Sequence, residues 1–311
     1  MEAAGKQWIL HGSRTDAIKL WGLADFHLGN RATEKDRLWR DIQAIKDDPY
    51  SFWVGVGDYG DYISPRDRRF DAEAIDPEIL GVGDLKSVGR AVAASVAKWM
   101  EPIKDKCLGL AFGNHEDKYM NEQEQGDLHA WLCTEMGVRN LRYSALFDVV
   151  FIRSGAKSPR LVTSPPVKNK GTSFTVRFYV HHGAGGAVTK SGKANRLERF
   201  MQMTTADVVF AAHCHDGMIL PCPILDLDAS GNRLREKQRF AVMTGSYLRT
   251  YAQGMTTYGE KRGYAPSTLG ATGVTIWPSQ MAISPRMGIS PECETGATSP
   301  SRSIRRKGSA E

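Results

Sequence analysis

The run Leu108-Gly-Leu-Ala-Phe-Gly113-Asn114-His115-Glu116 decides how this chain is read. An apolar, strand-like segment ends on a glycine, and a carboxamide, an imidazole and a carboxylate follow at once. At the carboxyl end of a buried strand, such a cluster occupies the place where open α/β sheets bind ligands. The same residues also suit a plain strand-to-helix turn, with Asn114 as N-cap and His115 on the surface. Alone, the tetrapeptide does not separate these readings.

Four further segments repeat the design. Residues 17–24 read as a strand that runs into Asp25-Phe26-His27. Strand alternation sends residues two apart to one side, so Asp25 and His27 are expected to reach one point. Residues 51–56 form an apolar strand ending in Gly57-Asp58, with Asp61 three positions on; by itself Gly-Asp is a common turn. Residues 173–180 alternate and lead into His181-His182-Gly183, with Gly185 and Gly186 permitting close backbone approach to a ligand. Residues 207–212 end in His213-Cys214-His215, where Cys214 is one step out of phase and is expected to be buried or behind its neighbours.

Helical periodicity fills the gaps between these strands. It covers 33–46, with Leu38, Trp39, Ile42 and Ile45 on one face, then 85–100, 123–136 and 195–203. His129 has nothing around it at ligand spacing and reads as a packing or surface residue. The pattern is β-like over 143–153, 218–227, 238–246 and 270–277, with a turn at 229–232. No G-x-G-x-x-G spacing or Walker lysine occurs, which excludes a nucleotide P-loop.

The 311 residues are 41% hydrophobic and 24% charged, enough for a large core. No apolar run is long enough to cross a bilayer, and residues 1–6 lack a signal-peptide core, so a soluble, cytoplasmic protein with no membrane partner is expected. Five cysteines without a C-x-x-C pair suit a reducing compartment. Arg302, Arg305, Arg306 and Lys307 against Glu311 supply half of the formal net charge of +6. The expected organisation is a folded domain over 1–280 and a disordered, basic Ser/Pro/Arg-rich tail over 281–311. Residues 62–85 read as a long surface excursion, in which Asp67, Arg68 and Arg69 suit solvent as well as a lid. The Lys/Pro-rich loop 154–171 and the cations Lys190, Lys193 and Arg196 suit a polyanion.

The five strand ends in order, D-x-H, G-D-x-x-D, G-N-H-E, H-H-G and H-x-H, resemble the motif set of the calcineurin-like metallophosphoesterase superfamily over roughly residues 17–250. Ala212 departs from it, standing where the last motif normally has glycine. The resemblance implies an α/β fold, an α/β/β/α sandwich of two mixed sheets flanked by helices. It implies two divalent metal ions, one on Asp25, His27, Asp58 and His215, the other on Asp58, Asn114, His182 and His213, with Asp58 bridging. The mixed oxygen and nitrogen donors suit Mn²⁺ foremost, then Fe, Zn²⁺ or Ni²⁺. His115 is implied as the catalytic acid or charge stabiliser, and Asp61, Glu116 and His181 as residues behind the ligands, with His181 competing with His182 as ligand. The implied chemistry is hydrolysis of a phosphate ester by a metal-bridging hydroxide without a phospho-enzyme. The basic features lean to a phosphodiester in DNA, RNA or a nucleotide. A phosphomonoesterase and a non-catalytic scaffold are the rivals. Protein phosphatases share the metal motifs, but Tyr62 stands where their G-D-x-x-D-R-G extension has arginine. Residues 244–251 and 258–266 resemble phage- and prophage-borne members.

Overall fold

A computed structural model describes residues 1–123, 127–166, 172–228 and 230–289. Cys293, most of the basic tail, and parts of the 123–136 helix, the 154–171 loop and the 229–232 turn lie outside the described residues.

The elements in chain order are β1 (Glu2–His11), β2 (Ile18–Leu23), α1 (Lys35–Asp47), β3 (Ser51–Val56), α2 (Val88–Met100), β4 (Cys107–Ala111), α3 (Asn114–Gln123) and α4 (Leu128–Met136). They continue with β5 (Ser144–Arg153), β6 (Arg160–Val162), β7 (Ser173–His181), α5 (Lys190–Met203), β8 (Val208–Ala211), β9 (Met218–Pro221) and β10 (Ile224–Leu227). The last are β11 (Leu234–Lys237), β12 (Phe240–Met243), α6 (Tyr258–Lys261), β13 (Thr272–Trp277) and β14 (Ala282–Met287).

Two mixed sheets result, one in the order β6-β1-β5-β7-β8-β12-β9 and the other β14-β13-β2-β3-β4, with β10-β11 a separate hairpin. Alternation explains how they stack. Phe52, Val54 and Val56 of β3 meet Val176, Phe178 and Val180 of β7 in the core between the sheets. The opposite face of the smaller sheet, with Trp21 and Trp53, packs on Leu38, Ile42 and Ile45 of α1 and on α2 and α4. The outer face of the larger sheet packs Tyr179, Val209 and Ala241 on Leu197, Phe200 and Met201 of α5. The layers are therefore helix, sheet, sheet, helix, as the motif resemblance implies.

Three expectations change. The composition from Pro278 reads as disorder, yet β14 pairs antiparallel with β13 through Met287. Pro285 is tolerated there because β14 is a sheet edge, where a missing N–H breaks no ladder. The ordered chain therefore passes the expected boundary at 280 and reaches at least residue 289. Residues 62–85 are not merely a surface excursion. Tyr62, Asp67, Asp76 and Leu80 are buried, and the Asp76 amide donates to Gly29 O, clamping the segment over α2. Trp39, placed by periodicity on the buried face of α1, is instead 45% exposed, its ring edge-on to Trp99.

Candidate metal centre

All five motifs converge at the carboxyl ends of β2, β3, β4, β7 and β8. Strand alternation does not achieve this for Asp25 and His27. Their strand stops at Leu23, two and four residues earlier, and Asp25 (φ 52°), His27 (φ 50°), Asp58 (φ 53°), His213 (φ 72°) and His215 (φ 48°) all take left-handed backbone. Asp and His tolerate that region better than most residues, but it is uncommon outside glycine, and clustered strain of this kind collects at functional sites. The curled loops are pinned from behind. Thr33 Oγ1 donates to His27 O at 2.7 Å, Ser246 Oγ to Asp25 O at 3.0 Å, and the Tyr247 amide to Asp25 O at 2.9 Å.

Three groups of side chains bring ligand atoms within 4.8 Å of one another: Asp25/His27/His215, His27/Asp58/His115 and Asp58/His182/His213. Asp25 is wholly buried, and its Oδ1 has no hydrogen-bond partner. That oxygen lies 3.4 Å from His215 Nε2 and 3.9 Å from His27 Nε2, while the two Nε2 atoms face each other at 3.2 Å. His27 Nδ1 is 3.2 Å from Asp61 Oδ1, which fixes the proton on Nδ1 and leaves the Nε2 lone pair toward Asp25. An orphaned buried carboxylate oxygen and converging imidazole lone pairs are what a cation satisfies, so the donor set fits a metal.

The second group shows the same conflict. His182 Nδ1 donates to Val56 O at 2.7 Å, so its Nε2 faces Asp58 Oδ2 at 3.1 Å and Asn114 Oδ1 at 3.2 Å. Acceptor facing acceptor needs a proton or a cation between. Without a cation, burial pulls the His182 imidazole down, but the Asp58 carboxylate overrides it and holds the group up at about 10. Burial and the charge of His182 push neighbouring His213 down to about 4. Asp58 is held well below the carboxylate range, because His182 and His115 outweigh its burial.

The supporting residues are equally definite. Glu116 accepts from the amides of Asp58 (3.0 Å), Gly113 (2.9 Å) and Tyr59 (2.8 Å), tying the ends of β3 and β4 together. Burial, then the Asp58 charge, push it up to about 7. His115 donates from its amide to Asp58 Oδ1 at 2.9 Å and from Nδ1 to Asp61 O at 2.5 Å, so its Nε2 is left facing the cleft. Alternation along β7 settles the histidine pair geometrically. Val180 points between the sheets, so His181 points to the helical face, with its ring 4.6 Å from Phe200, and His182 returns to the site. His129 is buried, donating to Leu110 O at 3.1 Å.

Asn30 and Arg69 escape the sequence reading. Asn30 Nδ2 donates to Asp61 Oδ2 at 3.1 Å, and Arg69 Nη1 stands 3.4 Å from His115 Nε2. Arg69 comes from the 62–85 segment, where solvent is an equally good reading, and only the tertiary fold shows that it turns inward. Two of the cations expected to face a polyanion are engaged elsewhere. Lys193 is buried on Asp216 at 3.1 Å, and Arg196 donates to Gly185 O and to Cys214 Sγ. Loop 154–171 leaves the far end of β5: Ser144 pairs with His181 beside the site, whereas Ile152 pairs with Ser173 roughly 25 Å away at strand rise.

The site floors a cleft of about 460 Å³, walled by residues 62–80 on one side and 248–265 on the other. Its lining includes the apolar side chains of Ile63, Phe70 and Leu80 and the rings of Tyr258 and Tyr264. No helix among the described residues is long and apolar enough to cross a membrane.

No family model and no curated protein matches the sequence. Solved structures resemble it at low identity. NAD nucleotidase of Haemophilus influenzae is 11% identical with a TM-score of 0.39, the likeness covering 87% of this chain and 49% of that one. GAP50, the anchor in the inner membrane complex of Plasmodium, is 11% identical with a TM-score of 0.38 over 84% and 81% of the chains. Nuclease MPE of Pseudomonas putida is 12% identical with a TM-score of 0.29 over 86% of each. The order of the strand-end motifs and the four layers agree with the α/β/β/α sandwich that the motif resemblance implies.

Proposed function

We propose that the protein is a metal-dependent phosphoric ester hydrolase acting on a nucleotide-sized substrate. The observation that carries this reading is Asp58, whose carboxylate belongs to donor groups on both sides of it. Asp25, His27, Asp58 and His215 would hold one divalent cation, and Asp58, Asn114, His182 and His213 a second. Such cations, Mn²⁺ foremost, would supply Lewis acidity toward phosphate oxygens and lower the pKa of a bound water. The chain's own residues do the rest. Asp61 and Asn30 orient His27, Glu116 fixes the strand ends that carry Asp58 and Asn114, and His115 meets charge developing on the phosphate. His181 packs on α5 and takes no part, and Cys214 is not needed as a nucleophile. The catalytic unit comprises the whole sandwich through β14.

The cleft volume falls in the range of small-ligand sites, loop 154–171 leaves the far end of β5, and Lys193 at the cleft is paired with Asp216. A nucleotide or comparable phosphate ester is therefore favoured over a duplex. The test is Mn²⁺-dependent hydrolysis of bis-p-nitrophenyl phosphate beside p-nitrophenyl phosphate, with metal content measured on the same samples. The expected result is turnover that falls at least about 10²-fold in Asp58→Asn, with loss of bound manganese. Full activity in that variant, or a wild-type protein that binds no metal, overturns the reading; the second result would favour a scaffold.

A further inference from the structure

We propose that Arg69 binds the third non-bridging oxygen of a terminal phosphate, so that this site selects phosphomonoesters over diesters. The inference rests on the hydrolase reading above and names its substrate class.

Arg69 is held like a fixed instrument rather than a solvent-exposed arginine. Its Nε and Nη2 both bond the Asp67 carboxylate, Nη2 at 2.9 Å, and Asp67 is itself buried and paired with Lys118 at 2.8 Å. This fork takes two of the three guanidinium nitrogens and leaves Nη1 aimed at His115 Nε2 in the cleft. Beyond Asp67, the charges of Asp61 and Asp58 in the metal centre also act on Arg69. A locked positive charge thus borders the metal centre, beside His115.

Oxygen counting then separates the ester classes. A monoester phosphate has three non-bridging oxygens and close to two negative charges near pH 7. A diester has two such oxygens and one charge. Two oxygens can face the cation pair in either class. The third position is an anionic oxygen in a monoester, and the Arg69 guanidinium borders it. In a diester that position carries a carbon substituent, which would lose the charge-assisted bond and crowd the guanidinium. In the reaction, water oxygen bonds to phosphorus, the P–O bond to the leaving alcohol breaks, and the proton from water ends on that alcohol, giving ROH and inorganic phosphate. The apolar part of the cleft lining, Ile63, Phe70 and Leu80 among it, offers surface for the single organic group left to accommodate.

The experiment compares wild type, Arg69→Ala and Arg69→Lys for kcat/KM on both p-nitrophenyl esters, and for the thermal shift and inhibition produced by inorganic phosphate. Manganese content and Tm without phosphate serve as controls. The expected result in Arg69→Ala is a fall of about 30-fold or more in the monoester-to-diester ratio, together with weakened phosphate binding at unchanged metal content. Arg69→Lys keeps the charge without the fork, and its ratio should lie between the two. Equal loss on both esters with phosphate binding intact would mean that Arg69 only props His115, and would overturn the proposal. An unchanged ratio and phosphate affinity would overturn it too. If wild type hydrolyses neither ester, the hydrolase reading fails, while the phosphate shift still decides whether Arg69 binds phosphate.

Discussion

His129 shows what burial does to a single titratable residue in this fold. It is 1% exposed, donates from Nε2 to Leu110 O, and touches Cys133 Sγ at 3.4 Å. Burial pushes its imidazole down to about 4 from 6.5. Between those values the unfolded chain binds a proton that the folded protein refuses. The His129 contribution to stability is therefore complete above about pH 6.5, declines as pH falls toward 4, and is then lost. The amount at stake is on the order of 3 kcal/mol. Glutamine at this position keeps a donor for Leu110 O and removes the titration. Tm followed from pH 7 to 4.5 should fall less steeply in His129→Gln than in wild type; parallel curves would show that His129 is not the titrating group.

At the scale of elements, the site depends on how closely β3 and β4 approach where they end. Gly113 has no side chain because a Cβ there would fall on Asp58 Oδ1 and its carboxyl carbon. Gly57, with φ 98°, turns the chain beneath the Gly113 backbone and His182. Gly113→Ala should therefore displace Asp58 without emptying the core. We expect at least a tenfold loss of manganese affinity, with the far-UV circular dichroism spectrum retained. Unchanged affinity by calorimetric titration would show that the strand ends can give way. The left-handed loops after β2 and β8 belong to the same device, since Asp25 Oδ2 accepts the His213 amide at 3.0 Å and so joins the two sheets.

For the whole molecule, the donor groups draw on strand ends from both sheets, so a bound cation links the sandwich across its core. A ligand that binds only the folded state stabilises by about 2.7 kcal/mol at a hundredfold excess over its Kd. For a chain of this size, that corresponds to a rise in Tm of roughly 4 °C. Chelation should lower Tm by this amount, and Mn²⁺ should restore it. Asp58→Asn should show almost no chelator effect, which separates metal linkage from an unspecific action of the chelator. A wild-type Tm indifferent to both treatments would leave the centre without a resident metal.

The sequence by itself determined the element types and the order of the site. Apolar runs of strand length, each ending in Asp, Asn or His, are local signals, and each strand end carries its donor wherever the sheet places it. Gly113 and Glu116 were legible for the same reason, being part of one short motif. The means of convergence was not legible, because left-handed backbone at Asp25, His27, Asp58, His213 and His215 belongs to the folded loops, held at Asp25 by bonds from distant Ser246 and Tyr247 and at His27 by Thr33. Composition misread β14, since edge pairing with β13 outweighs the poor strand propensity of Ser and Pro. Only the tertiary structure decided that Arg69 turns inward while Lys193 and Arg196 are engaged elsewhere. A cation carries no local periodicity, and its role depends on which carboxylate the fold brings to it.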